Sequence, residues 1–230
     1  MDKTIGYLRQ IFSLLHQEQE RDWNPARQGW CGKHIPDSAR DVQKRLVGFG
    51  WSPVTDEEIA KWLAADDGLS INFQEKRKVL YLPALEKDAG FVPILSLKAK
   101  FDDDEVKEFR LRVMLISQDG EKNLRGIGFR LEAPEGKAQD KGENDEGRHD
   151  FYHAQFIRGF ERQGPGLPIE IPGWLPCSQP SFPLLANDPL TLVVCLLLTL
   201  YGKKYFWTFY RRHSSLSVFQ ETVEKKWGPG

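Results

Sequence analysis

Apolar residues in the first third of the chain recur every three or four positions, which is the spacing of one face of an α-helix. The first stripe consists of Ile5, Leu8, Ile11, Phe12 and Leu15. Asp2 precedes this stripe as an N-cap. The helix is expected to stop before Trp23-Asn24-Pro25, because the residue that precedes a proline avoids helical backbone angles.

Two further helices are predicted from their start and stop signals. One begins at Asp37 or Ser38 and ends at Gly48, since small polar residues cap helix N-termini and glycine ends helices. The other opens on the capping box 55–58, in which a threonine is followed three residues later by a glutamate, and it ends at Gly68.

The middle of the chain changes to alternation of apolar and polar residues, which is typical of strands with one buried and one wetter face. A short strand is predicted at 78–82 and another at 151–160. Three longer strands lie between them, with apolar sides formed by Leu95, Leu97, Ala99 and Phe101, by Phe109, Leu111, Val113 and Leu115, and by Ile127, Phe129 and Leu131. Short polar turns separate these strands, so we predict an antiparallel meander of about five strands.

The last part of the chain begins with a charged, glycine-rich stretch at 133–149, which predicts a flexible loop. Residues 164–189 contain seven of the fourteen prolines together with many large apolar side chains, which favours an extended but ordered segment. A helix follows at 190–201, and it is expected to be buried because it is apolar nearly all round. Gly202 ends it, and an aromatic strand is predicted at 205–210.

A final amphipathic helix is predicted to begin at Ser214 or Ser215. These elements together predict an α+β fold: N-terminal helices, a central antiparallel meander sheet, a proline-rich extended segment, a buried C-terminal helix and the final helix. We divide the chain into a helical N-terminal subdomain at 1–70 and a sheet with C-terminal helices at 71–230, expected to form one continuous globular unit.

Composition narrows the classes of function. Hydrophobic residues make up 40% and charged residues 28% of the chain, which is the profile of a folded protein and not of a disordered one. The net charge is −1, so a polyanionic partner would have to be met by a local basic patch.

Cysteine usage and hydropathy bear on the compartment. Three cysteines, Cys31, Cys177 and Cys195, are too few and too scattered for a disulfide framework, and Cys195 is expected to be buried because it lies in an apolar run. The longest apolar run covers residues 190–201, whereas a membrane span needs about 20 residues. We therefore expect a cytoplasmic protein with no membrane partner.

Signatures of cofactor and metal sites are weak in this sequence. The glycine-containing stretch 48–53 imitates the start of a dinucleotide fingerprint, but it follows a helix and has proline where the third glycine belongs, so no cofactor is expected. Cys31 and His34 form half of a zinc knuckle, yet no second tight pair accompanies them, and no metal is expected. A hydrolase built on His153 with Cys177 or a metal ion is kept as an alternative.

Basic residues cluster on the outer side of the predicted strands. If the apolar residues face the core, one outer face carries Lys98, Lys100, Arg110, Arg112 and Arg130. Gly126 and Gly128 beside them leave room for close approach of a ligand, whereas Glu108 and Glu132 on the same face can pair with the arginines. A second basic run, interleaved with aromatic residues, contains Lys203, Lys204, Arg211 and Arg212. Such combinations are used for binding single-stranded nucleic acid.

The positions of four tryptophans favour a competing hypothesis, a protein-binding module. Trp23, Trp30, Trp51 and Trp174 fall in predicted loops or at helix ends, where they can anchor a protein interface. Since no catalytic signature stands out, the leading hypothesis is a non-enzymatic interaction subunit, an adaptor, scaffold or regulatory component of a multi-protein assembly. The first alternative is an RNA or single-stranded DNA binding subunit that uses the basic sheet face.

Overall fold

A computed structural model of the chain describes residues 3–22, 37–64, 70–74, 77–85, 91–102, 105–119, 123–133, 152–157, 169–170, 181–184 and 188–212. The helices in these ranges are α1 (Lys3–Asp22), α2 (Asp37–Gly48), α3 (Asp56–Ala64) and α4 (Pro189–Arg212). The strands are β1 (Ser52–Pro53), β2 (Ser70–Asn72), β3 (Lys78–Tyr81), β4 (Val92–Asp102), β5 (Glu105–Asp119), β6 (Asn123–Glu132), β7 (His153–Ile157), β8 (Ile169–Glu170) and β9 (Ser181–Pro183). The predicted α+β class is confirmed.

The sheet is built around the predicted meander. Strands β3, β4, β5, β6, β7 and β9 are neighbours in that order, and each pair is antiparallel. Short strands extend this frame: β2 pairs with β4, β1 lies parallel to β3, and β8 lies parallel to β6, which makes the sheet mixed. The sequence did not indicate these short strands, because two or three residues are too few to show a period.

One face of the sheet is covered by α1, α3 and α4. Their apolar side chains form a single core with the side chains of the long strands that face the same way, including Leu97, Leu111 and Val113. Phe12 and Trp62 join α1 to α3 within this core, with ring centroids 5.4 Å apart. Each large side chain buried here contributes about 1.5–3 kcal/mol relative to exposure, so this layer supplies most of the apolar stabilisation.

Among the described residues, the opposite face is covered at one end, by α2. Ala39, Val42 and Leu46 of α2 pack against apolar side chains of β3, β4, β5 and β6, among them Ile94 and Met114. Beyond that end the side chains on this face become polar and charged, as the alternation along β4 and β5 requires. The fold therefore leaves a polar area of the sheet beside α2.

Helix starts follow the predicted chemistry. In the capping box of α3, the Thr55 amide donates to Glu58 Oε2 at 2.9 Å, and the Glu58 amide donates to Thr55 Oγ1 at 3.3 Å. Asp188 caps α4 by accepting from the Thr191 amide at 2.8 Å and from the Thr191 hydroxyl at 2.7 Å.

The predicted aromatic strand at 205–210 is wrong, because these residues are helical and belong to α4. Gly202 does interrupt the helix, with φ 73° and ψ 167°, and helical backbone resumes after it. Phe206, Trp207 and Phe209 all reach the main core from this second half. Aromatic residues are common in strands, but spacings of three residues on a helix bury the same side chains equally well.

The prediction that Cys195 is buried is also wrong. Val193, Val194, Leu196 and Leu197 of α4 are buried, whereas Cys195 is exposed. A helix that packs on one sheet turns one side outward, even when almost all of its residues are apolar. The helix is therefore buried on one side and not on most sides, and Cys195 and Thr199, four residues apart, are exposed.

The apolar part of α4, Pro189–Phe209, is long and apolar enough to cross a membrane, which corrects the shorter run expected from sequence. It is the one such helix in the described part of the chain, and 44% of its most apolar window is buried inside the fold. A helix in the core of a folded protein has the same composition, and the apolar side of α4 packs into the main core. Length and composition alone are therefore a poor indicator of a membrane span here.

Several predictions fall outside the described residues. These are the end of the third helix at Gly68, the final helix from Ser214 or Ser215, and nearly all of the loop 133–149. Within 164–189, β8 and β9 are extended strands paired with the sheet, as an ordered extended segment requires, while residues 164–168, 171–180 and 185–187 lie outside the described residues.

Candidate functional site

The predicted basic side chains share one face of the sheet. Cross-strand register pairs Lys98 with Arg110, Lys100 with Glu108, and Arg112 with Arg130. Residues paired across neighbouring strands point to the same side, so these side chains lie on the polar area beside α2. We call this surface the basic face, and it consists of Lys98, Lys100, Glu108, Arg110, Arg112, Arg130 and Glu132.

The basic face is organised as rows that run across the strands. The first row crosses β4, β5, β6, β7 and β9 and contains Ser96, Arg112, Arg130, Gln155 and Ser181. The second row crosses the same strands and contains Lys98, Arg110, Glu132, His153 and Pro183. Residues far apart in sequence thus lie side by side.

Two arginines occupy the centre of the first row. Arg112 and Arg130 lie directly opposite each other, and Arg130 Nη2 donates a hydrogen bond to Gln155 Oε1. The Ser96 hydroxyl is buried and donates to the Lys78 carbonyl at 3.0 Å, so it is committed to the fold. Like charges directly opposite in a sheet are destabilising, which makes this row a favourable place for an anion.

The second row contains an acidic centre. Glu132 forms an ion pair with Arg110, lies 3.7 Å from Arg130 Nε, and accepts from His153 Nε2 at 3.2 Å. The side chains of His153 and Glu132 are only 3% and 12% exposed. Lys98 and Glu108 form a separate ion pair of 2.8 Å. The pairing of basic residues with Glu108 and Glu132 that the sequence allowed is therefore present.

The basic face remains positive despite these pairs. Its five cationic side chains and two carboxylates leave an excess of three positive charges among the described residues of the face. The side chains of Lys98, Arg110 and Arg130 are between 26% and 31% exposed, and Lys100 is exposed. The cationic groups are thus held by the sheet but still meet solvent.

The two glycines do not leave open space for a ligand, which corrects the expectation of close approach. A Cβ atom added to Gly126 would lie 3.0 Å from Ile169 Cγ2, and one added to Gly128 would lie 3.2 Å from Ile157 Cδ1. The protein's own strands β8 and β7 fill the space above them. These glycines serve packing, and the face for a ligand is confined to the charged rows.

The second basic run lies elsewhere. Lys203 and Lys204 are exposed on α4, directly after Gly202. Because α4 packs on the other side of the sheet, these lysines and the arginines of the basic face are separated by the sheet itself. Arg211 and Arg212 are in the last turn of α4, and their side chains lie outside the described residues.

Within the described residues, no exposed tryptophan supports the hypothesis of a protein interface. Trp51 is half-buried, packs against the core under α2, and its carbonyl accepts from the Tyr81 hydroxyl at 2.8 Å. Burial raises the pKa of Tyr81 above its ordinary range, which keeps this hydroxyl protonated as the donor. Trp23, Trp30 and Trp174 lie outside the described residues.

An exposed aromatic at the sheet edge was missed by sequence reasoning. Phe182 of β9 is 48% exposed, and its ring meets that of Phe156 of β7 edge-on, with centroids 6.0 Å apart. The stretch around Phe182 is proline-rich and gives no strand period. Phe182 comes next to Phe156 only through the pairing of β9 with β7 in the folded structure.

No metal centre is found within the described ranges, since they contain no group of three His, Cys, Asp or Glu side chains that could hold an ion. Cys31, His34 and Cys177 lie outside those ranges, so the structure does not test them.

Next to His153, burial and then the charge of Asp188 raise the pKa of Tyr152 to about 12, so that its hydroxyl stays protonated near neutral pH.

No protein-family model, curated protein or solved structure matches this chain. Its function is therefore inferred from the geometry and charge of the basic face.

Proposed function

We propose that this chain is a non-enzymatic binding subunit, and that its basic face binds the phosphate backbone of single-stranded nucleic acid, RNA or DNA. The observation that carries the proposal is the register that places Arg112 opposite Arg130. Two neighbouring guanidinium groups can hold successive phosphates, and each contact releases counterions from the nucleic acid.

The surroundings of this pair support binding to a backbone. Both rows lie on β-strands, which hold the charges more rigidly than loops do. The whole chain carries a charge of only −1, so attraction would be directed to this face and not spread over the molecule.

Fluorescence anisotropy with a labelled oligouridine tests the proposal. Arg112→Glu replaces a positive charge with a negative one, and we expect affinity to fall by about tenfold or more at roughly 0.1 M salt. Because the variant takes away a cationic group that binds phosphate, the slope of log K against log salt should also become shallower by about 0.7.

Lys61→Glu is the matched control, since it makes the same charge change on α3, where Lys61 is 73% exposed and pairs with Glu57. We expect this variant to bind as the wild type does. The absence of any wild-type binding at low salt, or equally weakened binding in Arg112→Glu and Lys61→Glu, would overturn the proposal.

A second candidate is a protein-interaction subunit of a multi-protein cytoplasmic assembly, and the exposed Phe182 at the sheet edge supports it. Aromatic residues anchor protein interfaces, and an open strand edge can add a further strand. The exposed position of Cys195 is compatible with a reducing compartment.

A photo-crosslinking amino acid placed at position 182 tests the second candidate. We expect one discrete crosslinked partner in cells, and no crosslink when the same residue replaces Val47 of α2, which is 45% exposed. Equal crosslinking at both positions would contradict a specific interface. A hydrolase based on His153 has less support, because the imidazole is buried and is already bonded to Glu132.

A further inference from the structure

Phe182 lies where the first row of the basic face reaches the edge of the sheet. That row ends on Ser181 of β9, and Phe182 is the next residue in the chain. Side chains alternate along a strand, and Phe182 is paired with Ala154, so its ring lies on the face opposite the arginines. The ring is 48% exposed and is separated from the basic face by the thickness of one edge strand.

The first row provides a path for a phosphate backbone toward this edge. It crosses the strands from Arg112 through Arg130 and Gln155 to Ser181, and its described members include no carboxylate. The second row, in contrast, contains Glu132, whose charge repels a phosphate. Neighbouring strands are about 4.8 Å apart, so Ser181 lies roughly 10 Å beyond Arg130. A nucleic acid strand held at the two arginines can therefore reach the edge over a short distance.

Phe156 holds the ring of Phe182 in position. The two rings meet edge-on, with an interplanar angle of 89° and centroids 6.0 Å apart. Aromatic pairs favour this geometry, so the exposed ring is oriented before a ligand arrives. Proteins that bind single strands present such rings beside basic grooves, because every base has a π-face that can stack on an aromatic side chain.

Two classes of ligand use exposed aromatic rings, and the surroundings of Phe182 favour nucleic acid over a protein strand. An added β-strand needs hydrogen bonds along the edge formed by β9, but Pro183 in this short strand has no amide hydrogen to donate. Nucleic acid needs positive charge near the ring, and the basic face supplies five cationic groups against two carboxylates.

We propose that Phe182 is a base-stacking residue of the single-strand site: a strand held at Arg112 and Arg130 turns over the edge at β9 and stacks a base on this ring. The inference rests on the proposed function, because it assigns a second contact, to a base, for the same ligand. Phosphate contacts alone do not distinguish a strand with bases from one without them, whereas the aromatic ring does.

Phe182→Leu tests the stacking contact, since it removes the aromatic ring and keeps a large apolar side chain. We expect affinity for the labelled oligouridine to fall by about fivefold or more, the lower end of what stacking of one base contributes. The slope of log K against log salt should keep its wild-type value, because no phosphate contact is lost. Phe182→Trp is the matched variant: it retains an aromatic face and should bind at least as tightly as the wild type.

An abasic oligomer of the same length separates stacking from charge. It carries the phosphates of the oligouridine but no bases, so wild-type protein should bind it about fivefold more weakly or less tightly still. Phe182→Leu should lose most of this difference between the two oligomers.

The outcomes distinguish base stacking from the proposed function. Wild-type affinity in Phe182→Leu, with Arg112→Glu still weakened, would overturn stacking and leave phosphate binding standing. An equal loss of affinity for both oligomers in Phe182→Leu would also overturn stacking, because the ring would then serve the fold. A photo-crosslinker at position 182 that captures only protein while oligouridine is bound, a second copy of this chain included, would do the same.

Two further results decide the remaining cases. Absence of wild-type binding to both oligomers at low salt would overturn the proposed function itself. If Phe182→Leu does not fold, as a thermal melt would show, equal affinity of the wild type for the two oligomers is enough to overturn base stacking.

Discussion

Arg112 and Arg130 lie directly opposite each other on β5 and β6, so two guanidinium groups share the centre of one row of the sheet. Like charges in directly opposite positions cost roughly 0.2–1 kcal/mol relative to neutral pairs. Rules of local structure are commonly broken at functional sites, where stability is given up for binding. The pair is therefore the feature of the fold that most favours a binding function.

The first prediction concerns the stability of the protein without ligand. Arg112→Glu replaces a like-charge pair with an opposite-charge pair, but it also removes the interaction that Arg112 makes within the fold, so the free energy of unfolding should change by no more than about 1 kcal/mol. Urea denaturation followed by circular dichroism measures it. A clear loss of stability would indicate that Arg112 serves the fold and not a ligand.

The second prediction is a pH dependence at the capping box of α3. Burial raises the pKa of Glu58, but hydrogen bonds from Thr55 and the charge of Lys78 outweigh it, so the pKa lies below its ordinary value. A lowered carboxyl pKa contributes stability above the pKa of the unfolded chain, and this stability is lost as pH falls through the folded pKa.

Glu58→Gln should therefore be less stable than the wild type near pH 7 by about 0.3–1.5 kcal/mol, and the difference should shrink below about pH 4. Denaturant unfolding at a series of pH values provides the measurement. Glu57→Gln is the control, because Glu57 is exposed and pairs with Lys61 on the helix surface, so its replacement should cost less stability. A difference that grows at low pH would contradict the assignment.

The third prediction compares two glycines in helices. Gly202 has φ 73° and ψ 167°, a backbone region that is essentially restricted to glycine, so Gly202→Ala should destabilise the protein by about 1–3 kcal/mol. Gly6 lies within α1, and nothing within 4 Å would meet an added Cβ. Gly6→Ala should stabilise by about 0.5–1 kcal/mol, because alanine favours a helix interior. Thermal melts that show the two variants shifting in the same direction would contradict this reading of Gly202.

The fourth prediction tests the packing above the sheet. A Cβ atom on Gly126 would lie 3.0 Å from Ile169 Cγ2 and 3.2 Å from the Leu115 carbonyl oxygen. Gly126→Ala should therefore displace β8 and destabilise the protein by about 1–3 kcal/mol, the usual cost of overpacking. Pairing the substitution with Ile169→Val should recover part of this stability. Full stability of the single variant, measured by denaturant unfolding, would argue against close packing at this point.

Much of the fold could be predicted because its signals are local. The helical spacing in α1, the capping box at Thr55 and Glu58, and the alternation along β4, β5 and β6 each depend on neighbours within a few residues. The aromatic stretch at 205–210 shows where local signals fail, because its composition suits a strand while Phe206 and Phe209 reach the core from a helix. Likewise, nothing near Cys195 in sequence tells which side of α4 turns outward.

The sequence by itself determined the class of fold, most helix and strand positions, and the fact that the basic side chains of β4, β5 and β6 share one face. Only the tertiary structure decided which of them meet. The register sets Arg112 against Arg130, and it brings His153 next to Glu132 across twenty residues of intervening chain. It also fills the space above Gly126 with Ile169. Alternation follows from the geometry of one strand, whereas register depends on hydrogen bonds and packing between distant segments, which no local pattern contains.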